Sequence, residues 1–261
     1  MHSLTSFHPL ALCALMFSLL FSFNVSAESE DTEWELEKSK ESIDLNIYTR
    51  YIKGSDLKAF KAEMTVKQPI GAVFAVLADH DNSCNWIANC GGYKMLDGEA
   101  GANYSYMINE APWPVSDRDA VVRSVVRQNP ETYVVDIELV GLPDYIPEDD
   151  DYIRIPKMDG FWKLIPVDEA TTTIIYQVHA DPGGGLPTWL SNSVVVDTPY
   201  DTMRGLLKQL KKEKYDHVSH PDVKNFVAKV PEQAEAVEIQ ETETQKEEST
   251  EQKTEQNTDQ K

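Results

Sequence analysis

Positive charge is scarce in this sequence. Of 261 residues, 24 are lysine or arginine and 44 are aspartate or glutamate, a net charge of −20. Nucleic-acid binding draws on clustered cations, and so does electrostatic docking on anionic lipid surfaces. The balance argues against both, and no nucleic-acid partner is expected. Cysteine is rarer still, at three. No C-x-x-C pair and no Cys/His ligand set appears, so no metal site is expected. The chain also lacks G-x-S-x-G, a P-loop, G-x-G-x-x-G after a strand, and H-E-x-x-H. No cofactor is expected.

Long apolar runs are missing but for Pro9 to Phe23, about 15 residues, which is short for a membrane span and right for the core of a secretory signal. Residues 1–27 carry no Asp, Glu, Lys or Arg, and Val25-Ser26-Ala27 supplies a small residue at the cleavage point. A cleaved signal would place the protein in the periplasm or outside the cell. The alternative is an uncleaved inner-membrane anchor. Removing the signal leaves Cys84 and Cys90. An even pair in an exported chain suggests a disulfide, with two free thiols as the alternative.

At the other end, residues 231–261 hold ten acids and three lysines among many Gln and Thr. Such a stretch cannot bury enough apolar surface to offset chain entropy, so it is expected to be a disordered acidic tail. Residues 216–230 read as a linker. Residues 28–215 then form one domain of ordinary size, expected to be monomeric.

Within it, Thr32 to Ser39 could open as a short helix anchored by Trp34. Ile43–Ile52 and Leu57–Val66 alternate around Gly54-Ser55 and read as a strand pair. Pro69 opens a helix, in which Ile70, Val73, Phe74 and Leu77 recur at helical spacing. Asp79–Asn89 is a second short helix or loop, ended by Gly91-Gly92. Strands follow at Asn103–Asn109, Ala120–Arg127, Thr132–Val140, Ile153–Pro166 and Thr171–Ala180. Asp181-Pro182-Gly183-Gly184-Gly185 breaks the pattern. A long amphipathic helix then starts at Pro187, with a kink or restart expected at Pro199 and lysines crowding its last turns.

The order of elements gives an α+β class, helices packed on one face of a curved antiparallel sheet. The alternation turns Tyr104, Tyr106, Ile108, Val122 and Val126 inward. It turns Tyr133, Val135, Ile137, Trp162, Leu164, Ile174, Tyr176 and Val178 the same way. Trp189, Val194 and Met203 face them from the long helix. Each residue by itself is ordinary core material. Together they fit an apolar chamber with several phenol hydroxyls, suited to an amphipathic ligand whose polar end finds a Tyr or Arg.

One stretch joins these parts. Ala111–Arg127 opens with Trp113 held between Pro112 and Pro114, carries Ser116-Asp117-Arg118-Asp119, and enters an apolar strand. P-W-P-V-S-D-R-D (Pro112–Asp119), then W-K-L-I-P (Trp162–Pro166), then D-P-G-G-G-L-P-T-W-L (Asp181–Leu190), resembles the START family of lipid-binding domains, and most of all its small bacterial members. The resemblance covers about Trp34 to Tyr215. It implies a helix-grip fold, with the C-terminal helix closing an apolar cavity against the sheet. It also implies binding of a lipid or other apolar small molecule, with transfer between membranes and transient membrane contact as the accompanying expectation. Trp113 and Arg118 join the candidate ligand-binding residues on this ground. Arg118 is expected to bond Asp119 or backbone near the pocket mouth. Sterol-binding animal members place a buried arginine further along this strand. That position falls on Ser124 here, so a sterol-type polar anchor does not carry over.

An enzyme on the same fold, a cyclase or hydrolase, is the class-distinct alternative. It would need an acid–base pair in a cleft, for which His179 with Tyr176 is the candidate. A strand-end histidine also has a plain structural use, and no catalytic residue is assigned. A third reading is a scaffold whose acidic tail recruits a partner.

Overall fold

The structure, a computed structural model, describes residues 31–228. The expected signal segment and acidic tail lie outside the described residues. Nine strands form a continuous sheet in the order β1-β2-β3-β10-β9-β7-β6-β5-β4, with every neighbouring pair antiparallel. The strands are β1 (Glu35–Lys40), β2 (Leu45–Tyr51), β3 (Lys58–Val66), β4 (Cys90–Leu96), β5 (Asn103–Asn109), β6 (Arg118–Gln128), β7 (Val135–Gly141), β9 (Lys157–Asp168) and β10 (Thr171–Asp181). A two-residue strand, β8 (Ile153–Arg154), pairs in parallel with β6. The helices are α1 (Ile70–Ala78) and the long α2 (Thr188–Leu210). This is the expected helix-grip architecture.

The departures have local causes. The segment expected as an opening helix is β1. The eight residues Thr32–Ser39 would make a marginal helix in water, whereas pairing with the edge of β2 satisfies the backbone of Glu35–Lys40. Gly91 and Gly92 follow the end of the short helical turn, as expected, but they lie within a strand that was not expected, β4. A Cβ on Gly91 would lie 2.8 Å from Glu110, and one on Gly92 would lie 3.2 Å from Ile108. Glycine lets β5 come close across the register shift between Cys90 and Gly92. The run expected as one strand from Ile153 to Pro166 is two, divided at Ile155-Pro156, where proline supplies no ladder N–H. Helix α2 continues through Pro199 as a single element.

Helix α1 is apolar throughout, and most of it is covered. Ile70, Val73 and Val76 are fully buried against α2, β9, β10 and the chain after α2. The expected linker contributes to this cover. Asn225 Oδ1 accepts from Gly71 N at 2.8 Å, satisfying one of the N–H groups that a helix start leaves free. His220 packs edge-on to Phe74 at 4.8 Å, and Val223 is buried. Residues 216–228 are therefore a strap on the domain rather than a linker leaving it.

Candidate functional site

Helix α2 buries its second half most deeply. Met203, Leu206 and Leu210 join Leu45, Ile47, Met64 and Ile174 in a filled core. Along the other half of the sheet a cavity of about 560 Å³ remains. Its roof is Phe74, Leu77, His80, Ser83, Trp86 and Ile87, from α1 and the short 3₁₀ turn after it. Its floor is Tyr93, Ser105, Met107, Val122, Ser124, Val126, Ile137, Leu139, Trp162 and Tyr176, from β4 to β10. Thr202 of α2 and His220 and Asp222 of the strap complete the wall.

Side chains alternate across a sheet, and the observed register decides which expected residues face the cavity. Ser105 pairs with Val122 and Asn103 with Ser124, on the cavity face. Tyr106 pairs with Val121 and Tyr104 with Arg123, on the opposite face. Tyr104 and Tyr106 therefore do not line the cavity, and Ile108 shares their face. Tyr104 stacks on Tyr145 at 4.8 Å, under the loop between β7 and β8. Tyr106 belongs to a separate polar pocket with Arg154 and the acidic run Glu148–Asp151.

Val122, Val126, Ile137, Trp162 and Tyr176 line the cavity as expected. Val135 and Met203 are buried in the adjoining core but do not reach the cavity. Tyr133 lies in the turn before β7 with φ 59°, against Phe226, and does not line it. Trp113 is 93% exposed, Trp189 72% and Val194 49%, so all three sit outside the chamber. The cause for the last two is the position of α2. Its first half turns Ser191, Asn192 and Val196 to the domain, with Asn192 Oδ1 accepting from Lys58 N at 2.9 Å, so Trp189 and Val194 fall on its outward side.

Arg118 is buried and bonds backbone, to the Ser116 carbonyl and, at 3.4 Å, to the Pro182 carbonyl. It ties the Trp113 turn to the glycine loop before α2. Asp119 cannot be its partner, because consecutive strand residues point to opposite faces. Asp119 instead takes a bidentate pair from Arg154 at 2.8 and 2.9 Å, with both side chains nearly inaccessible. Arg154 also holds the carbonyls of Pro143, Ile146 and Pro147. Burial would raise the Asp119 carboxyl, but hydrogen bonds from Arg154 and Tyr106 hold it below the ordinary range. Burial and Asp119 push the Tyr106 phenol up to about 12. Arg154 was not visible as a partner in the sequence; the Arg-Asp dipeptide drew attention to the wrong arginine.

The roof is fixed in several ways. Cys84 and Cys90 form the expected disulfide. Gln209 Nε2 donates to the Asn85 carbonyl at 3.1 Å, and Ala88 N donates to Thr202 Oγ1 at 3.1 Å. A Cβ on Gly205 would sit 2.2 Å from the Trp86 carbonyl oxygen, so glycine allows α2 to press against this turn. Trp86, His80, Ser83, Tyr93, Ser105 and Met107 are cavity residues that the sequence reading did not select. The aromatic Trp86 between two cysteines was the one visible signal. Burial lowers the His80 imidazole, so it is neutral near pH 7. His179 shares a hydrogen bond with Ser55 at 3.2 Å and is not in the cavity, so it is not paired with Tyr176 there.

Comparison with known proteins bears on the fold as a whole. The START domain model matches residues 15–215. An uncharacterized protein of Pseudomonas aeruginosa is 34% identical over 190 residues, spanning 73% of this chain and 93% of that one. A crystal structure of a STAR-related lipid transfer protein fragment from Xanthomonas axonopodis is 34% identical, with TM-score 0.63, covering 69% of this chain and 99% of that chain. Human STARD10 has the same fold at 19% identity, with TM-score 0.61, covering 69% and 74%.

Proposed function

This chain belongs to the START domain family, and on that premise we propose that it is a carrier which holds one lipid or other apolar small molecule in the cavity between α1 and the sheet. The observation that carries the reading is the cavity itself. About 560 Å³ stays open beside a core that is otherwise filled. Its wall is mostly aliphatic and aromatic, with a few hydroxyls, as small-molecule sites are built.

The protein is a binding protein rather than an enzyme in this reading. Its export by the N-terminal segment would place it in the periplasm or outside the cell, where it would carry its ligand between membranes as a monomer touching them transiently. The resemblance to the Xanthomonas lipid transfer protein supports the ligand class. The test is native mass spectrometry of the protein isolated from its own cells, followed by lipid analysis after denaturation. A stoichiometric adduct of lipid mass is expected. A bare chain that also takes up nothing from a lipid extract would overturn the reading. Cell fractionation tests the location: the chain should appear, shortened at its N-terminus, in the periplasmic or secreted fraction.

A further inference from the structure

Three polar atoms at the cavity have no hydrogen-bond partner among the described residues, and His80 Nδ1, on the roof, is one of them. Trp86 is 6% exposed and lines the cavity, and its Nε1–H is buried without a hydrogen bond. A buried donor left unpaired is costly, and the roof around it is held too firmly for the indole to turn to water. Trp86 N bonds the Ser83 carbonyl at 3.1 Å, and the disulfide closes the loop around it. The Trp86 ring meets Trp162 edge-on at 6.0 Å, and Trp162 lies flat on Tyr176 at 3.8 Å. The Tyr176 hydroxyl, in the same aromatic cluster, makes no hydrogen bond among the described residues. Burial alone pushes that phenol well above its ordinary value.

The charge of the wall is equally telling. Among the described residues no lysine or arginine lines the cavity, and the one carboxylate is Asp222, at the strap, with His220 Nδ1 3.8 Å away. Arg118, the cation expected near the mouth, is spent on backbone carbonyls. An anion brought inside would lose its hydration and gain no cation. An indole N–H only donates, whereas a phenol both donates and accepts. A group that meets both must offer an accepting oxygen.

We propose that the cavity selects an uncharged ligand whose hydroxyl or carbonyl oxygen meets Trp86 Nε1–H and Tyr176 Oη, and that it rejects lipids bearing a carboxylate or phosphate within the chamber. The proposal rests on the carrier reading and narrows it. Delipidated full-length protein is titrated with hexadecanol, palmitate and hexadecane in one detergent, at about pH 8, where a carboxylate is ionised. Hexadecanol should bind about tenfold or more tighter than palmitate. Tyr176→Phe and Trp86→Phe should each weaken hexadecanol about fivefold more than they change hexadecane. If Trp86→Phe does not fold, Tyr176→Phe, which removes one oxygen and keeps the ring stack, decides alone. Palmitate binding as tightly as hexadecanol, or a Tyr176→Phe protein that binds hexadecanol as before, would overturn the proposal and leave the carrier reading intact. Failure of all three probes and of a total lipid extract would overturn both.

Discussion

The two halves of the sheet carry different side chains and end as different things. Under the second half of α2, strands β2, β3 and β10 present Leu45, Ile47, Met64 and Ile174, all at or below 1% exposure. These branched and long side chains meet Met203, Leu206 and Leu210 and leave no space. On β5 and β6 the inner face is Asn103, Ser105, Met107, Val122, Ser124, Val126 and Gln128. Four of those seven are polar, and the cover above them is the short α1 and a 3₁₀ turn rather than a long helix. A cavity persists where short polar side chains interrupt the floor and the roof is held away by its own bonds. It closes where long side chains from two layers interdigitate. Dense apolar packing is concentrated in one half and ligand capacity in the other.

The largest effect should come from the outer face of the cavity half. Asp119→Ala leaves Arg154 buried and unpaired, and unfolding by urea should show a loss of about 3–5 kcal/mol. Leu206→Ala, in the filled half, should cost about 2–5 kcal/mol while leaving ligand affinity of the folded protein near its original value. An equal loss of affinity would mean that the halves are one unit. Replacing Cys84 and Cys90 together by serine should cost about 2 kcal/mol in the chain-entropy view, and should also weaken ligand binding because the loop carries Trp86. Ser124→Leu reverses the pattern. Its stability should change by less than about 1.5 kcal/mol, since it fills space that was open, but ligand uptake measured by native mass spectrometry should fall sharply.

The smallest effect is that of pH. The half-buried imidazoles of His80 and His179 both titrate below the ordinary histidine value. The unfolded chain therefore binds protons first as pH falls below about 6.5, so the histidines should lower stability from there downward until their folded forms are protonated too, and the lowered carboxyls of Asp79 and Asp119 carry the decline on at more acid pH. Thermal unfolding followed between neutral and mildly acid pH measures this. His80→Asn should remove part of the decline if the cavity side contributes to it.

Much of the framework could be read in the chain. The alternation of Ile47, Phe60, Met64, Ile174 and Tyr176 marks strands, and the apolar run after Pro69 marks α1. Amphipathic spacing after Pro187 marks α2, and the even pair of cysteines left after the expected signal segment suggests their pairing. The site was less legible. Tyr104 and Tyr106 looked like lining because aromatic residues on an alternating strand usually face a core. They do face one, but on the other side, where the loop between β7 and β8 covers them. Trp113 and Trp189 looked like site residues because the motif holds them, yet both project into solvent. His220 gave no signal, because nothing in a polar stretch after a helix says that it will fold back onto Phe74.

The sequence by itself determined the α+β class and the order of most strands and both α-helices, and pointed to the disulfide, because each depends on neighbours within a few residues or on composition. The tertiary structure decided which face of β5 looks into the cavity, which arginine holds Asp119, and where space was left. Those depend on strand register and on the approach of segments far apart in the chain. A register change of one residue turns every side chain of a strand to the opposite face.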